Sequence, residues 1–169
     1  YNIIFIAPLA VILFAFYLRL RLLQLPHWYD EALTLHYVRQ EFPRMLQLVF
    51  ADLHIPAYYV ILYAWIRLVG QSSVMTGALS LLLGCLTAGL VYRLGKEFVN
   101  QAAGVLAAAL YWVSWSAIYY STETRMYQLL AVWASLAAVL LLRWARGSSS
   151  AGWWWVVINA LGFATHTLY

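Results

Sequence analysis

The feature that most constrains the fold is a series of long apolar stretches with almost no charge. They lie at 3–20, 74–92, 102–119, 126–142 and 153–168. Each approaches the roughly 20 residues that an α-helix needs to cross a bilayer. The chain is 65% hydrophobic and 9% charged, whereas soluble domains are about 45–50% apolar and about 25% charged. The sequence therefore predicts an all-α polytopic membrane bundle of about five transmembrane helices, forming a single domain over 1–169.

The basic residues indicate how such a bundle would be oriented. The formal net charge is +4, but Lys and Arg are scattered at the edges of the apolar stretches, which disfavours a nucleic-acid surface and is typical of membrane-edge loops. The loops 92–101 and 143–150 are short and basic. Both are predicted to be cytoplasmic, because Lys and Arg are enriched in cytoplasmic loops. The turn at 119–127 would then face the opposite, outer side.

The segment 56–70 decides where the first loop lies. Its apolar part spans about 21 Å at 1.5 Å per residue, which is short for a full crossing, and Arg67 interrupts it. If 56–70 does not cross, then 21–73 is an outer loop with short juxtamembrane helices on the same face as Glu123. If 56–70 crosses, the two regions lie on opposite faces. We favour the first arrangement.

Acidic residues cluster in that first loop. The chain has six of them, and four fall together at Asp30, Glu31, Glu41 and Asp52. The adjacent pair in "WYDEA" suggests a general base with a second carboxylate as its orienter. Capping of a helix N-terminus and complementing its dipole is the structural alternative, but it accounts for one carboxylate more naturally than for two.

Two further stretches carry polar side chains at membrane edges. In "ADLHIPAYY", His54 follows Asp52 and precedes Tyr58; an interfacial histidine without catalytic role is the alternative, and the spacing does not define a metal-ligand set. In "YYSTETRMYQLL", Glu123 and Arg125 occupy a short turn. A surface ion pair is possible there, but the arginine fork is also suited to phosphate.

In this order, the three stretches resemble the C-type glycosyltransferase superfamily, and more narrowly the family of protein O-mannosyltransferases and lipid A aminoarabinose transferases. "DLHIPAYY" stands in place of a His-Pro-Pro-like segment, and "YYSTETRMYQLL" in place of a Glu-x-Arg-x-Tyr-like segment. The resemblance covers about residues 3–169 and suggests the N-terminal portion of a larger enzyme. Ile55 replaces the first proline of the family's pattern, which weakens the specific role of that segment.

The resemblance implies a hexosyl- or pentosyltransferase of the bacterial plasma membrane. It would move a sugar, with inversion, from a polyprenyl-phosphate donor to a lipid, glycan or protein acceptor on the non-cytoplasmic side. By position, Asp30 is the candidate base and Glu31 its neighbour. Substrate-binding roles are implied for His54, Tyr58, Glu123, Arg125 and Tyr127. Some superfamily members use a divalent metal at the acidic pair, whereas the closer relatives generally do not, so no metal or other cofactor is predicted to be required.

The glycosyltransferase hypothesis makes a geometric requirement, because inversion proceeds by in-line attack. The base and the phosphate-binding cation should flank the sugar from opposite sides, because inversion demands attack opposite the leaving phosphate. The alternative function is a polytopic transporter or flippase subunit for a lipid-linked or anionic substrate. Transporters usually place polar residues near the midplane on broken helices, whereas the carboxylates here lie at one membrane edge. A purely structural subunit would leave the acidic clustering unexplained.

Overall fold

A computed structural model describes the backbone of residues 3–166 and the side chains of residues 9–166. Over that range the chain is all-helical, which confirms the all-α part of the predicted fold class. The helices are α1 Ile3–Leu22, α2 Tyr29–Val38, α3 Phe42–Ala51, α4 Ala57–Val69, α5 Ser73–Phe98, α6 Gln101–Val113, α7 Trp115–Tyr120, α8 Tyr127–Ala145 and α9 Ser149–Phe163.

Two of these helices are long and apolar enough to cross a membrane: α5 with 26 residues and α8 with 19. The stretch 102–119, predicted as one span, is divided at Ser114. There the Ser114 hydroxyl donates to Tyr111 O at 2.8 Å and accepts from Ala117 N at 3.3 Å, so one side chain serves both the end of α6 and the start of α7. Helix α9 ends at Phe163, within the predicted 153–168 span. The count of about five spans stays a prediction.

The loops 92–101 and 143–150 meet at one end of the bundle, here called the basic end. Arg143 donates to Glu97 from Nε at 3.0 Å, and Arg93 donates to the same carboxylate at 2.9 Å. Helices α5 and α6 approach closely beside this cluster. A Cβ added to Gly104 would lie 2.6 Å from Tyr92 O, so no larger residue fits there without separating the two helices.

The turn of residues 121–126, between α7 and α8, lies at the other end, here called the acidic end. Leu23, just after α1, and Thr122 O both contact the position where Gly77 of α5 would carry a Cβ. The end of α1 and the start of α5 therefore lie together. Because the intervening chain leaves and returns at the acidic end, α2, α3 and α4 are all held on that side of the bundle.

Helices α2–α4 pack together around a shared apolar cluster. Val38, Met45, Val49 and Leu62 have no exposed surface. Helix α4 has 13 residues, and its buried side chains lie on one face, which contacts α2 and α5. At 1.5 Å per residue it is about 20 Å long, which matches the prediction that 56–70 is short for a crossing.

Candidate functional site

The 121–126 turn forms the centre of the candidate site. Glu123, Thr124 and Arg125 are 5%, 0% and 7% exposed, although a turn between helices is usually solvated. Ser80 of α5 donates its hydroxyl to Glu123 O at 2.5 Å, which holds the turn against that helix. Three consecutive polar residues are thus buried between α5 and the first-loop helices.

Glu31 joins α2 to this turn. Its Oε1 accepts a hydrogen bond from Thr124 N at 2.6 Å, and its Oε2 accepts from Trp28 N at 3.2 Å. His27 Nδ1 lies 3.5 Å from the same Oε2. The bond to Trp28 satisfies a free N–H at the start of α2. Helix capping, the structural alternative, therefore accounts for one of these two hydrogen bonds of Glu31. The bond to Thr124 is a tertiary contact that capping does not explain.

Asp30 meets Arg125 directly. Its Oδ2 lies 3.7 Å from Arg125 Nη2, and its side chain is 35% exposed. Arg125 Nη1 donates to Thr34 Oγ1 at 3.0 Å and to Asp30 O at 3.4 Å. Asp30 and Arg125 therefore lie together at the acidic end of the bundle. They do not flank a substrate from opposite sides, as the in-line argument predicts; their opposite charges draw them into an ion pair.

An acidic cavity of about 240 Å³ opens beside Glu31 and Glu123, the neighbours of this pair in the chain, and neither Asp30 nor Arg125 lines it. It is lined by the side chains of Glu31 and Glu123, by the aromatic residues Trp28 and Tyr119, and by residues from the end of α1 and the start of α5. Tyr119 OH donates to Glu123 Oε1 at 3.2 Å, while the buried Oε2 has no hydrogen-bond partner within the described residues. Burial raises the pKa of the Glu123 carboxyl, and the neighbouring Glu31 raises it further.

A second cavity, the histidine cavity, touches the 121–126 turn at Met126. It has a volume of about 120 Å³ and is lined by Asp52, Leu53, His54, Ile55, Met126 and His166. His54 Nδ1 lies 2.8 Å from Asp52 O and 3.2 Å from Asp52 Oδ2. His54 thus faces a different cavity from Glu31 and Glu123, and the predicted polar residues divide into two neighbouring groups.

Three predicted substrate-binding residues line neither cavity: Tyr58, Arg125 and Tyr127. Tyr58 is 1% exposed and belongs to the apolar cluster of α2–α4. Burial raises the pKa of its phenol. Tyr127, the first residue of α8, is half-buried, and its ring centroid lies 5.2 Å from that of Tyr120. As folded, Tyr58 packs the core and Tyr127 packs against a neighbouring ring, and their substrate-binding roles stay predictions.

The structure adds residues that the motifs did not single out. Thr34 is one turn after Asp30 on α2, so helical spacing alone would have placed it on the same face. Trp28 directly precedes "YDE" and carries an exposed ring. His166 has no comparable local signal. It reaches the acidic end because α9 runs antiparallel to α8, and Trp133 Nε1 donates to Thr165 Oγ1 at 3.0 Å.

A divalent ion at the acidic pair does not fit the donors present. Divalent metals need carboxylate lone pairs directed at the ion. Both Glu31 oxygens are directed at backbone N–H groups, and Asp30 is paired with a guanidinium. Within the described part of the chain, no three His, Cys, Asp or Glu side chains are grouped so that they could hold a metal ion.

Comparison of the sequence with protein-family models and with curated proteins, and of the fold with solved structures, gave no significant match. The class of the protein is therefore defined by its own structure. Over its described residues the protein is all-helical, two helices there are long and apolar enough to cross a membrane, and carboxylates and an arginine are gathered at one end.

Proposed function

We propose that the protein is an integral-membrane glycosyltransferase that moves a sugar, with inversion, from a polyprenyl-phosphate donor to an acceptor outside the cytoplasm. The observation that carries this proposal is the contact between two distant segments. Asp30 and Glu31 on α2 meet Arg125 and Thr124 of the 121–126 turn, beside a cavity with acidic and aromatic walls. The sequence resemblance supplies the substrate class.

The acidic cavity is the candidate sugar site. Of its two carboxylates, Glu123 has an oxygen, Oε2, without a hydrogen-bond partner within the described residues, and this oxygen suits a hydroxyl donor of a sugar. Trp28 and Tyr119 supply aromatic surface for the apolar C–H face of a sugar ring. A volume of about 240 Å³ suits one small polar ligand. Leu22, Leu23 and Leu25, at and just after the end of α1, give the cavity an apolar wall along which a lipid tail would approach.

Asp30 is the candidate base because it is the carboxylate of the pair that is partly exposed. Glu31 uses both oxygens to hold α2 against the turn and acts as a positioning residue. In the proposed step the acceptor hydroxyl loses its proton to Asp30 while its oxygen forms a bond to the anomeric carbon. The bond between that carbon and the phosphate oxygen breaks, and its electron pair leaves with the polyprenyl phosphate.

The proposed orientation rests on the two ends of the bundle. The basic end carries Arg93, Lys96, Arg143 and Arg146 in two short loops, which favours the cytoplasmic side. The proposed outer segment 21–73 carries four arginines of its own, which runs against the same rule. The acidic end would then face outward. We propose a bacterial plasma membrane and about five spans, with α2–α4 lying at the outer surface. A lipid, glycan or protein acceptor could approach from the water, and the lipid-linked donor from the bilayer.

The test is sugar transfer by the full-length protein with defined polyprenyl-phosphate sugars. Asp30→Asn should lower the rate by about 10²–10⁴-fold, the usual range for loss of a general base. Glu41→Gln is the matched control, because Glu41 is an exposed acid of the same loop and should leave the rate unchanged. Full activity in Asp30→Asn would exclude Asp30 as the base.

The same preparation separates the enzyme from the alternative transporter or flippase subunit. In proteoliposomes a transporter would move a lipid-linked or anionic substrate across the bilayer without forming a new glycosidic bond. If the substrate crosses the bilayer and no sugar is transferred from any tested donor, the transport proposal replaces the glycosyltransferase proposal.

A further inference from the structure

Arg19, near the end of α1, is a buried cation that the proposed base and sugar site leave unused. It is 0% exposed, and none of the ion pairs in the described part of the chain includes it. A buried charge is costly unless it is well hydrogen-bonded. The guanidinium is therefore stabilised by neutral acceptors and by an aromatic ring.

Two of its acceptors join α1 to the break between α6 and α7. Nη2 donates to Trp112 O at 2.8 Å, and Cζ lies 4.0 Å from the centroid of the Trp112 ring. Trp112 belongs to the last turn of α6, where carbonyl groups lack a partner within the helix and carry the negative end of its dipole. Nη1 donates to Ala15 O of α1 at 3.0 Å. Arg19 thus stabilises the end of α6 from the side of α1.

The third acceptor lies directly behind the candidate sugar site. Arg19 Nε donates to Ser121 Oγ at 2.9 Å, and Ser121, the first residue of the 121–126 turn, is 0% exposed. Tyr119, two residues earlier, and Thr122, the next residue, both line the acidic cavity. The bond from Arg19 therefore attaches the backbone of this cavity wall to α1.

Helix α7 depends on such contacts for its position. It has six residues, and a helix this short is not stable on its own. Tyr119 of α7 donates to Glu123 Oε1 at 3.2 Å. A displacement of α7 would therefore move an aromatic wall of the cavity and change the hydrogen bonding of Glu123.

We propose that Arg19 is a positioning residue that holds α7 and the 121–126 turn in the arrangement that forms the acidic cavity. A guanidinium suits this role because its planar fork reaches α1, α6 and the turn at once while its face covers the Trp112 ring. The use of the cavity as a sugar site rests on the proposed function, whereas its shape does not.

The experiment measures local opening of the turn by cysteine labelling of the full-length protein in detergent. In a Cys85→Ser background, Thr124→Cys reports on the turn, because Thr124 is buried and its Oγ1 has no hydrogen-bond partner within the described residues. Arg19→Gln should raise the rate of reaction with a water-soluble maleimide by about 10–100-fold, the effect of losing one hydrogen bond to a charged group. Arg21→Gln is the matched control, because Arg21 is exposed on the same helix and should leave the rate unchanged.

A second reporter separates local opening from a general loss of stability. Val38→Cys lies in the apolar cluster of α2–α4 and is 0% exposed in the wild type. Its labelling should be unaffected by Arg19→Gln. An equal rise at both reporters would show that Arg19 acts only on global stability and would overturn the positioning role.

Ser121→Ala tests the same contact without removing the buried charge, and it serves where Arg19→Gln does not fold. It should also speed labelling of Thr124→Cys, and the double variant should exceed either single variant by less than the product of their effects, because the two residues share one hydrogen bond. An unchanged rate in Ser121→Ala would overturn the proposal.

Sugar transfer gives a further readout. Ser121→Ala should raise the KM for the lipid-linked sugar with little change in kcat, because the displaced wall would contact the bound sugar and Asp30 does not line the cavity. A fall in kcat at unchanged KM would contradict this. Labelling itself needs no substrate. A protein that transfers no sugar can therefore still show the role of Arg19, and transfer with unaltered labelling would overturn that role while leaving the transferase standing.

Discussion

Glu31 Oε1 accepts a hydrogen bond from Thr124 N at 2.6 Å, although the two residues are 93 positions apart in the chain. The bond is buried, and it joins the first residues of α2 to the turn before α8. It determines which carboxylate of the Asp30–Glu31 pair stays accessible to solvent. Glu31 is engaged by backbone N–H groups, whereas Asp30 remains partly exposed beside Arg125.

Replacing Glu31 should therefore lower stability as well as activity. Glu31→Gln retains one acceptor oxygen but places an amide N–H₂ near Trp28 N or Thr124 N, leaving a buried N–H without an acceptor. We expect the free energy of unfolding to fall by about 1–3 kcal/mol. Thermal unfolding in detergent measures it, with Glu41→Gln as the exposed control. An unchanged melting temperature would mean that the bond to Thr124 contributes nothing net.

Glu123 should make stability depend on pH in a defined direction. Because its pKa is raised in the folded state, folding favours the protonated carboxyl. That contribution is complete below the unfolded value of 4.5 and is lost as the pH rises through the folded pKa. Glu123→Gln keeps an acceptor for Tyr119 and cannot ionise. It should melt higher than wild type at pH 8 and show no such gain at pH 4; a gain of the same size at both values would contradict this.

The close approach of α5 and α6 predicts a contrast between two glycines. Gly104→Ala would place a methyl group 2.6 Å from Tyr92 O, and backbone cannot move aside cheaply, so we expect a loss of about 1–3 kcal/mol. Gly89→Ala meets nothing within 4 Å and should be neutral or stabilising by up to about 1 kcal/mol. Comparing unfolding midpoints of the two variants tests the contact; equal midpoints would refute it.

The orientation of the bundle is testable by cysteine labelling. In a Cys85→Ser background, exposed positions are replaced one at a time: Gln47→Cys and Gln71→Cys at the acidic end, and Ser148→Cys at the basic end. A maleimide that does not cross membranes should label the first two in intact cells and the third only after permeabilisation. Labelling of 47 and 71 from opposite sides would show that α4 crosses, and the proposed outer site would be withdrawn.

The sequence by itself determined where several helices lie and which loops share one end of the bundle. Apolar stretches at 74–92 and 126–142 predict α5 and α8 because hydropathy and helical periodicity are local properties. The acidic pair in "WYDEA" predicts the start of α2 for the same reason, since carboxylates favour a helix N-terminus. The sequence also predicted that the loops 92–101 and 143–150 lie on one face, because two predicted crossings separate them.

Only the tertiary structure decided which side chains meet. The break at Ser114, the burial of Tyr58, the Asp30–Arg125 ion pair and the position of His166 all depend on contacts between segments far apart in the chain. A sequence motif gives the type and spacing of its residues, but not which helix face another helix will cover. The site was therefore predicted as one group of residues, whereas packing around the 121–126 turn divides it into an acidic and a histidine cavity.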